Sequence, residues 1–237
     1  MLRQFPGVDA IVSALDSALP QPDQLCGPFS ASTALTAVVG DDAPDIITLA
    51  IASGSAIWPG ETVSGRPPGT PRLTDGWDSL PRAASIDTAG TTAAGLATGI
   101  ETATDHRVAV VLIMGPGVEG LRLLLARLAD APFRFGLVAN VHTAELTEFD
   151  WSVGHFVTIL GMDTVEDVVG IADTYRELGV SGMPPGCRTV RTDTLASSMS
   201  ERGLLLVVDN DDRSSRTGSD SITRSTKRRV VGMRWET

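Results

Sequence analysis

The order of helical and extended segments constrains the fold of this 237-residue chain more than any other feature. Apolar residues at helical spacing fill the first half. Val8, Ile11, Val12, Leu15 and Leu19 mark a helix within residues 1–20. Small apolar residues from Phe29 to Val39 predict a closely packed second helix with Gly40 as its stop, and further helices are expected over 45–57 and 91–104. Between them, Pro59, Pro67, Pro68, Pro71 and Pro81 predict an extended loop or lid. A strand at Val108–Met114 and an amphipathic helix at Gly117–Asp130 come next. Strand-like stretches then follow at 133–141, 155–162, 168–173 and 204–209, broken by one helix at 192–200. Helices first and strands later, without β-α alternation, predict an α+β fold rather than a doubly wound sheet. The patterning runs to residue 212 without a break, so residues 1–212 are expected to form one domain.

The formal charge of −10 is unevenly spread. Residues 213–237 hold seven basic and two acidic side chains, leaving 12 basic against 27 acidic groups in the first 212. An acidic body repels nucleic acid and anionic membrane, so neither is an expected partner, and the basic tail reads as a solvated, flexible end, with folding back on the acidic body or binding elsewhere as the alternatives. Met1 to Pro6 contain no apolar core of signal-peptide length, and no stretch approaches the roughly 18 apolar residues of a membrane span. A cytoplasmic protein is expected. Its two cysteines, Cys26 and Cys187, should be reduced there, although one disulfide between them is the alternative.

Cys26 carries the chemistry. The turn Gln21 to Leu25 leads into it and a helix follows, which sets its sulfur at a helix N-terminus, where N–H groups and the dipole favour thiolate. The same N–H groups can hold a developing oxyanion. Well down the chain, Gly154-His155-Phe156 opens an apolar strand with an imidazole, and Gly154 would let a substrate backbone come close. Eighteen residues further, Asp173 ends the next strand, where it could fix the His155 tautomer. Trp77, in the proline-rich segment, and Trp151, four residues before His155, are candidate walls of a substrate groove. His106, His142 and Glu145 lack the spacing of a zinc site, so no metal and no cofactor are expected.

Three blocks, Gln21 with Cys26-Gly27-Pro28, Gly154 to Asp163, and Ile171 to Tyr175, resemble bacterial papain-like cysteine peptidases related to the bacteriocin leader (double-glycine) peptidases. Their order and spacing match as well: His155 lies 129 residues after Cys26, near the roughly 130–150 of papain-type enzymes. The resemblance implies a papain-like fold with Cys26 as nucleophile, His155 as base and Asp173 as orienting carboxylate. The family's oxyanion glutamine stands six residues before the cysteine, where this chain has Pro20. Gln21, at five, is the first substitute and Gln24, at two, the second. The family's Asp-Pro is Asp173-Thr174 here. The expected function is cysteine-dependent acyl transfer, as a peptidase or amidase, on a peptide or small amide or acyl substrate. A transferase or cyclase with the same triad, or an inactive binding protein keeping the fold, are the alternatives. Oligomeric state is not legible.

Overall fold

A computed structural model describes residues 1–60, 66–146 and 150–210. The basic segment 213–237 lies outside the described residues. Among the described residues, seven strands form one antiparallel sheet: β1 (Arg3–Gln4), β2 (Val108–Ile113), β3 (Phe135–His142), β4 (Gly154–Asp163), β5 (Val168–Ala172), β6 (Cys187–Arg191) and β7 (Leu204–Asp209). Their spatial order is β2-β7-β3-β4-β5-β6, with β1 pairing to the far end of β4. Six α-helices among the described residues accompany them: α1 (Val8–Ala18), α2 (Cys26–Val39), α3 (Ile46–Ala52), α4 (Ala93–Ala103), α5 (Gly117–Ala129) and α6 (Thr192–Ser198). The fold is α+β, with a cysteine at a helix N-terminus packed on an antiparallel sheet that carries the histidine and leads into the aspartate.

Alternation along the strands sends side chains to two covered faces. Leu137, Ala139 and Val141 of β3 pack with Leu121 and Leu125 of α5. Val138, with Leu205 and Val207 of β7, packs instead with Ala31, Ala34 and Leu35 of α2. The small residues of α2 let it lie almost on the sheet. A Cβ added at Gly136 would come within 2.8 Å of the Ala34 carbonyl oxygen, so glycine is what that approach requires. Nine of the 14 residues of α2 are buried. Its helical face is therefore not a stripe but nearly the whole cylinder, as expected of a central helix.

Two strands differ from the sequence expectation. β1 lies inside the segment read as helix 1–20, and two residues carry too little pattern to be seen. β6 follows Pro184, Pro185 and Gly186, whose turn chemistry masks the short strand Cys187–Arg191. Among the described residues it is an edge strand paired with β5, where Arg188 stands opposite Ile171. The third helix also stops early, at Ala52, because Ser53 and Gly54 (φ 65°) turn the chain out of it.

Candidate active site

Cys26 is the first residue of α2, and Leu25 before it offers no side-chain cap. The first N–H groups of a helix have no partner within it, and here they belong to Cys26 and Gly27. Pro28 fits in the first turn because it has no intrahelical hydrogen bond to lose there. Cys26 is half-buried and Cys187 fully buried, and both thiols are free. The two do not form a disulfide.

Two contacts set α2 against β4 beside the thiol. The Ser30 hydroxyl donates to the Phe156 carbonyl oxygen at 3.0 Å, and Thr158 returns a hydrogen bond to the Ser30 carbonyl at 3.3 Å. A Cβ on Gly27 would stand 3.3 Å from the Phe156 ring and from Thr91, so any larger residue would press these neighbours aside by a few tenths of an ångström. The residue after the cysteine and the residue after the histidine thus pack on each other.

His155 is 2% exposed. Its Nε2 lies 3.0 Å from Asp173 Oδ1 and 3.3 Å from the Thr174 hydroxyl. That leaves Nδ1 as the nitrogen that can exchange a proton with the thiol. Burial alone would lower the pKa of the ring. The charge and hydrogen bond of Asp173, joined by hydrogen bonding and charge at Cys26, outweigh burial and raise it to about 9. Asp173 is 1% exposed, and burial works to raise its pKa. The charge and hydrogen bond of His155, the charge of Arg188 and the Thr174 N–H reverse this and hold it below the usual carboxylate range.

Trp151 and Tyr175 enclose the imidazole. Trp151 meets it edge-on at 5.0 Å between centroids, and Tyr175 stacks at 6.0 Å. Trp151 is 2% exposed, so it is a cover on the histidine rather than a groove wall. Trp77 is also buried. Its Nε1 donates to the Asp23 carbonyl at 3.1 Å and its ring packs with Leu25, Ile57 and Leu80, which makes it an anchor for the proline-rich segment. Exposed Gly154 has the Arg202 guanidinium beside it, 2.6 Å from where a Cβ would stand.

The glutamines separate cleanly. Both ends of the Gln24 amide are committed to the Trp58 backbone, Nε2 donating to its carbonyl at 2.9 Å and Oε1 accepting from its N–H at 2.7 Å. Gln24 is a loop fastener. Gln21 is 2% exposed, with Nε2 donating to the Tyr175 hydroxyl at 3.0 Å and its backbone N–H to the Thr174 carbonyl at 3.2 Å. It joins the chain entering Cys26 to the chain leaving Asp173 and holds the Tyr175 ring that stacks on His155.

Sequence reasoning missed Arg188, whose NH2 stands 3.2 Å from Asp173 Oδ2, and the turn that carries it. The Asp173 N–H donates to the Gly186 carbonyl at 2.8 Å, and Gly186 has φ 73°. A Cβ there would approach the Asp173 carbonyl oxygen to 2.7 Å. Gly182, at φ 85°, has nothing within 4 Å. Gly186→Ala is therefore expected to cost more than Gly182→Ala, beyond the roughly 1–3 kcal/mol of a strained residue, when urea midpoints of the two variants are compared. Equal midpoints would mean that the turn does not press on Asp173. No sequence signal marks Arg188, because the burial of Asp173 that calls for a second cation is set by the fold.

A free thiol at an uncapped helix start, facing a buried histidine-aspartate pair on an antiparallel sheet, defines an α+β protein with a Cys-His-Asp site. The chain belongs to a family of unknown function, DUF6885, whose model matches residues 5–220. No curated protein matches it. Among solved structures, it is similar to the peptidase domain of Streptococcus ComA, a bifunctional ABC transporter involved in a quorum-sensing pathway. The identity is 13%, the match covers 80% of this chain and 96% of that one, and the TM-score is 0.45. Among the described residues no helix is long and apolar enough to cross a membrane, and no cluster of three metal-ligating side chains occurs.

Proposed function

We propose that the protein is a thiol-dependent acyl-transfer enzyme of papain-like type, acting on a peptide or small amide. One observation carries this reading: a buried imidazole held at 3.0 Å by a buried carboxylate and coupled to a half-buried cysteine at an uncapped helix N-terminus. With His155 raised to about 9, the ring is protonated at neutral pH and can face a thiolate on Cys26. Sulfur attacks the substrate carbonyl carbon, and the N–H groups of Cys26 and Gly27 hold the oxyanion, with Gln21 Nε2 as a third donor. His155 then protonates the departing amine, leaving a thioester on Cys26. Water, activated by the now neutral His155, releases the acid; an amine in its place would give a transferase. Asp173 keeps Nε2 protonated throughout and so presents Nδ1 to the sulfur. The leader-peptidase branch is the finer reading, supported by the order of the three sequence blocks. The two free cysteines fit a reducing, cytoplasmic setting.

Iodoacetamide alkylation near pH 6 tests the pair without knowledge of the substrate. Cys26 is expected to react at least about tenfold faster than glutathione, and His155→Ala to abolish the difference. Cys187 contributes little, because burial pushes its thiol up to about 11. A Cys26 rate equal to that of glutathione would end the enzyme reading.

A further inference from the structure

Asp173 divides its two oxygens between different tasks. Oδ1 takes both His155 Nε2, at 3.0 Å, and the Thr174 N–H, at 2.8 Å. Oδ2 is buried and has no hydrogen bond among the described residues. Facing it at 3.2 Å is NH2 of Arg188, equally buried and equally without a hydrogen bond, in an ion pair whose geometry falls short of one. The other guanidinium arm donates to the Leu178 carbonyl at 2.9 Å, which fixes the side chain beneath the sheet edge. Only 8% of Arg188 is exposed, so this cation is not a surface residue that happens to pass.

We infer that Arg188 is a positioning residue of the active site, fixing Asp173 beneath His155 and balancing its buried charge. The inference rests on the acyl-transfer reading above. Counting the reactive form gives the reason. A thiolate at Cys26, an imidazolium at His155 and a carboxylate at Asp173 sum to one negative charge, and the last two of these groups are fully buried. Arg188 brings that sum to zero. The other titratable groups that bear on the carboxylate are Cys187 on β6 and Tyr175 after β5. Burial and the Asp173 charge push the thiol up to about 11, and burial, with the charges of Asp23, Cys26 and Asp173, also raises the phenol, so neither supplies a cation at neutral pH. Arg66 pairs with Asp23 instead, at 3.2 Å.

Loss of the Arg188 charge makes every proton in the cluster harder to remove. The pH midpoint of Cys26 alkylation is therefore expected to rise by at least about half a unit in Arg188→Gln and to stay near the wild-type value in Arg188→Lys. A merely structural arginine would lower the yield of folded protein without moving that midpoint. If wild-type Cys26 reacts no faster than glutathione, the functional reading falls and this inference with it. If wild-type Cys26 is fast and folded Arg188→Gln has the same midpoint, this inference alone is overturned. Should Arg188→Gln not fold, Asp173→Asn is compared with Asp173→Asn/Arg188→Met. The double variant is expected to melt higher than the single one, because it removes the cation left unpaired, and a lower melting temperature would overturn the pairing.

Discussion

Cys26→Ala is expected to lower turnover of an amide substrate by at least about 10⁴-fold while leaving the fold intact. Alanine suits the first turn of a helix, and the thiol is half-buried at the end of α2 rather than packed in its centre, so little cohesion is lost. The thermal midpoint should therefore stay near that of the wild type. His155→Ala should be about as damaging to turnover, and the double variant no worse than either single one, because a nucleophile and its base act as one unit. Rates measured on protein of matched circular dichroism decide the matter. A Cys26→Ala protein that keeps even a tenth of wild-type turnover would rule out the thiol as nucleophile. A protein that binds peptide equally well with and without Cys26, and turns over none, would favour the inactive binding module.

Asp173→Asn is expected to harm stability and activity together. The asparagine fills the same space but withdraws the charge that offsets the burial of two cations. Arg188 is then left with an uncompensated charge in the interior, a loss of about 3–5 kcal/mol by analogy with other broken buried pairs. His155 loses the charge of Asp173, the largest of the interactions that lift it, and keeps only those with Cys26, so its pKa falls from about 9 toward the ordinary value. The ring then holds its proton less firmly at pH 7, fewer molecules present an imidazolium to the sulfur, and turnover should fall by about 10²–10⁴-fold. The pH dependence carries a sign. A histidine raised from 6.5 to about 9 on folding contributes its full stabilisation below pH 6.5 and loses it as pH rises through 9. Wild-type protein should thus weaken between pH 6.5 and 9, and its activity should fall on the alkaline side near pH 9. In Asp173→Asn both trends should vanish from that window. Urea midpoints at pH 6 and pH 9 test this directly. Parallel midpoints in the two proteins would show that the carboxylate does not hold a proton on His155.

The parts of this site that could be read from the sequence are those whose positions along secondary structure carry meaning. Cys26 after a proline-containing turn and before small residues marks a helix start. His155 at the head of an unbroken apolar run marks a strand start. What could not be read are contacts made by side chains across the fold. Arg188 looks like one more surface arginine until β6 brings it beneath Asp173. Trp77 and Trp151 look like groove walls because aromatic residues near a reactive pair suggest one. Both instead spend their surface on burial, Trp151 against His155 and Trp77 against Leu25. Gly154 shows the same limit, since the side chain that lies over it is Arg202, 48 residues away.

The contact between Gly27 and the Phe156 ring has a consequence for how the reactive distance is kept. Thiol and imidazole sit on separate elements, joined by more than a hundred residues of chain, and no covalent tether sets their spacing. Each is followed by the residue that touches the other's successor. A drift of α2 away from β4 would open that contact before it noticeably weakened anything distant, and a drift inward is blocked by the ring. The pair is gauged by the fit of its immediate neighbours, so the two halves of the protein stay in step wherever the rest of the fold flexes.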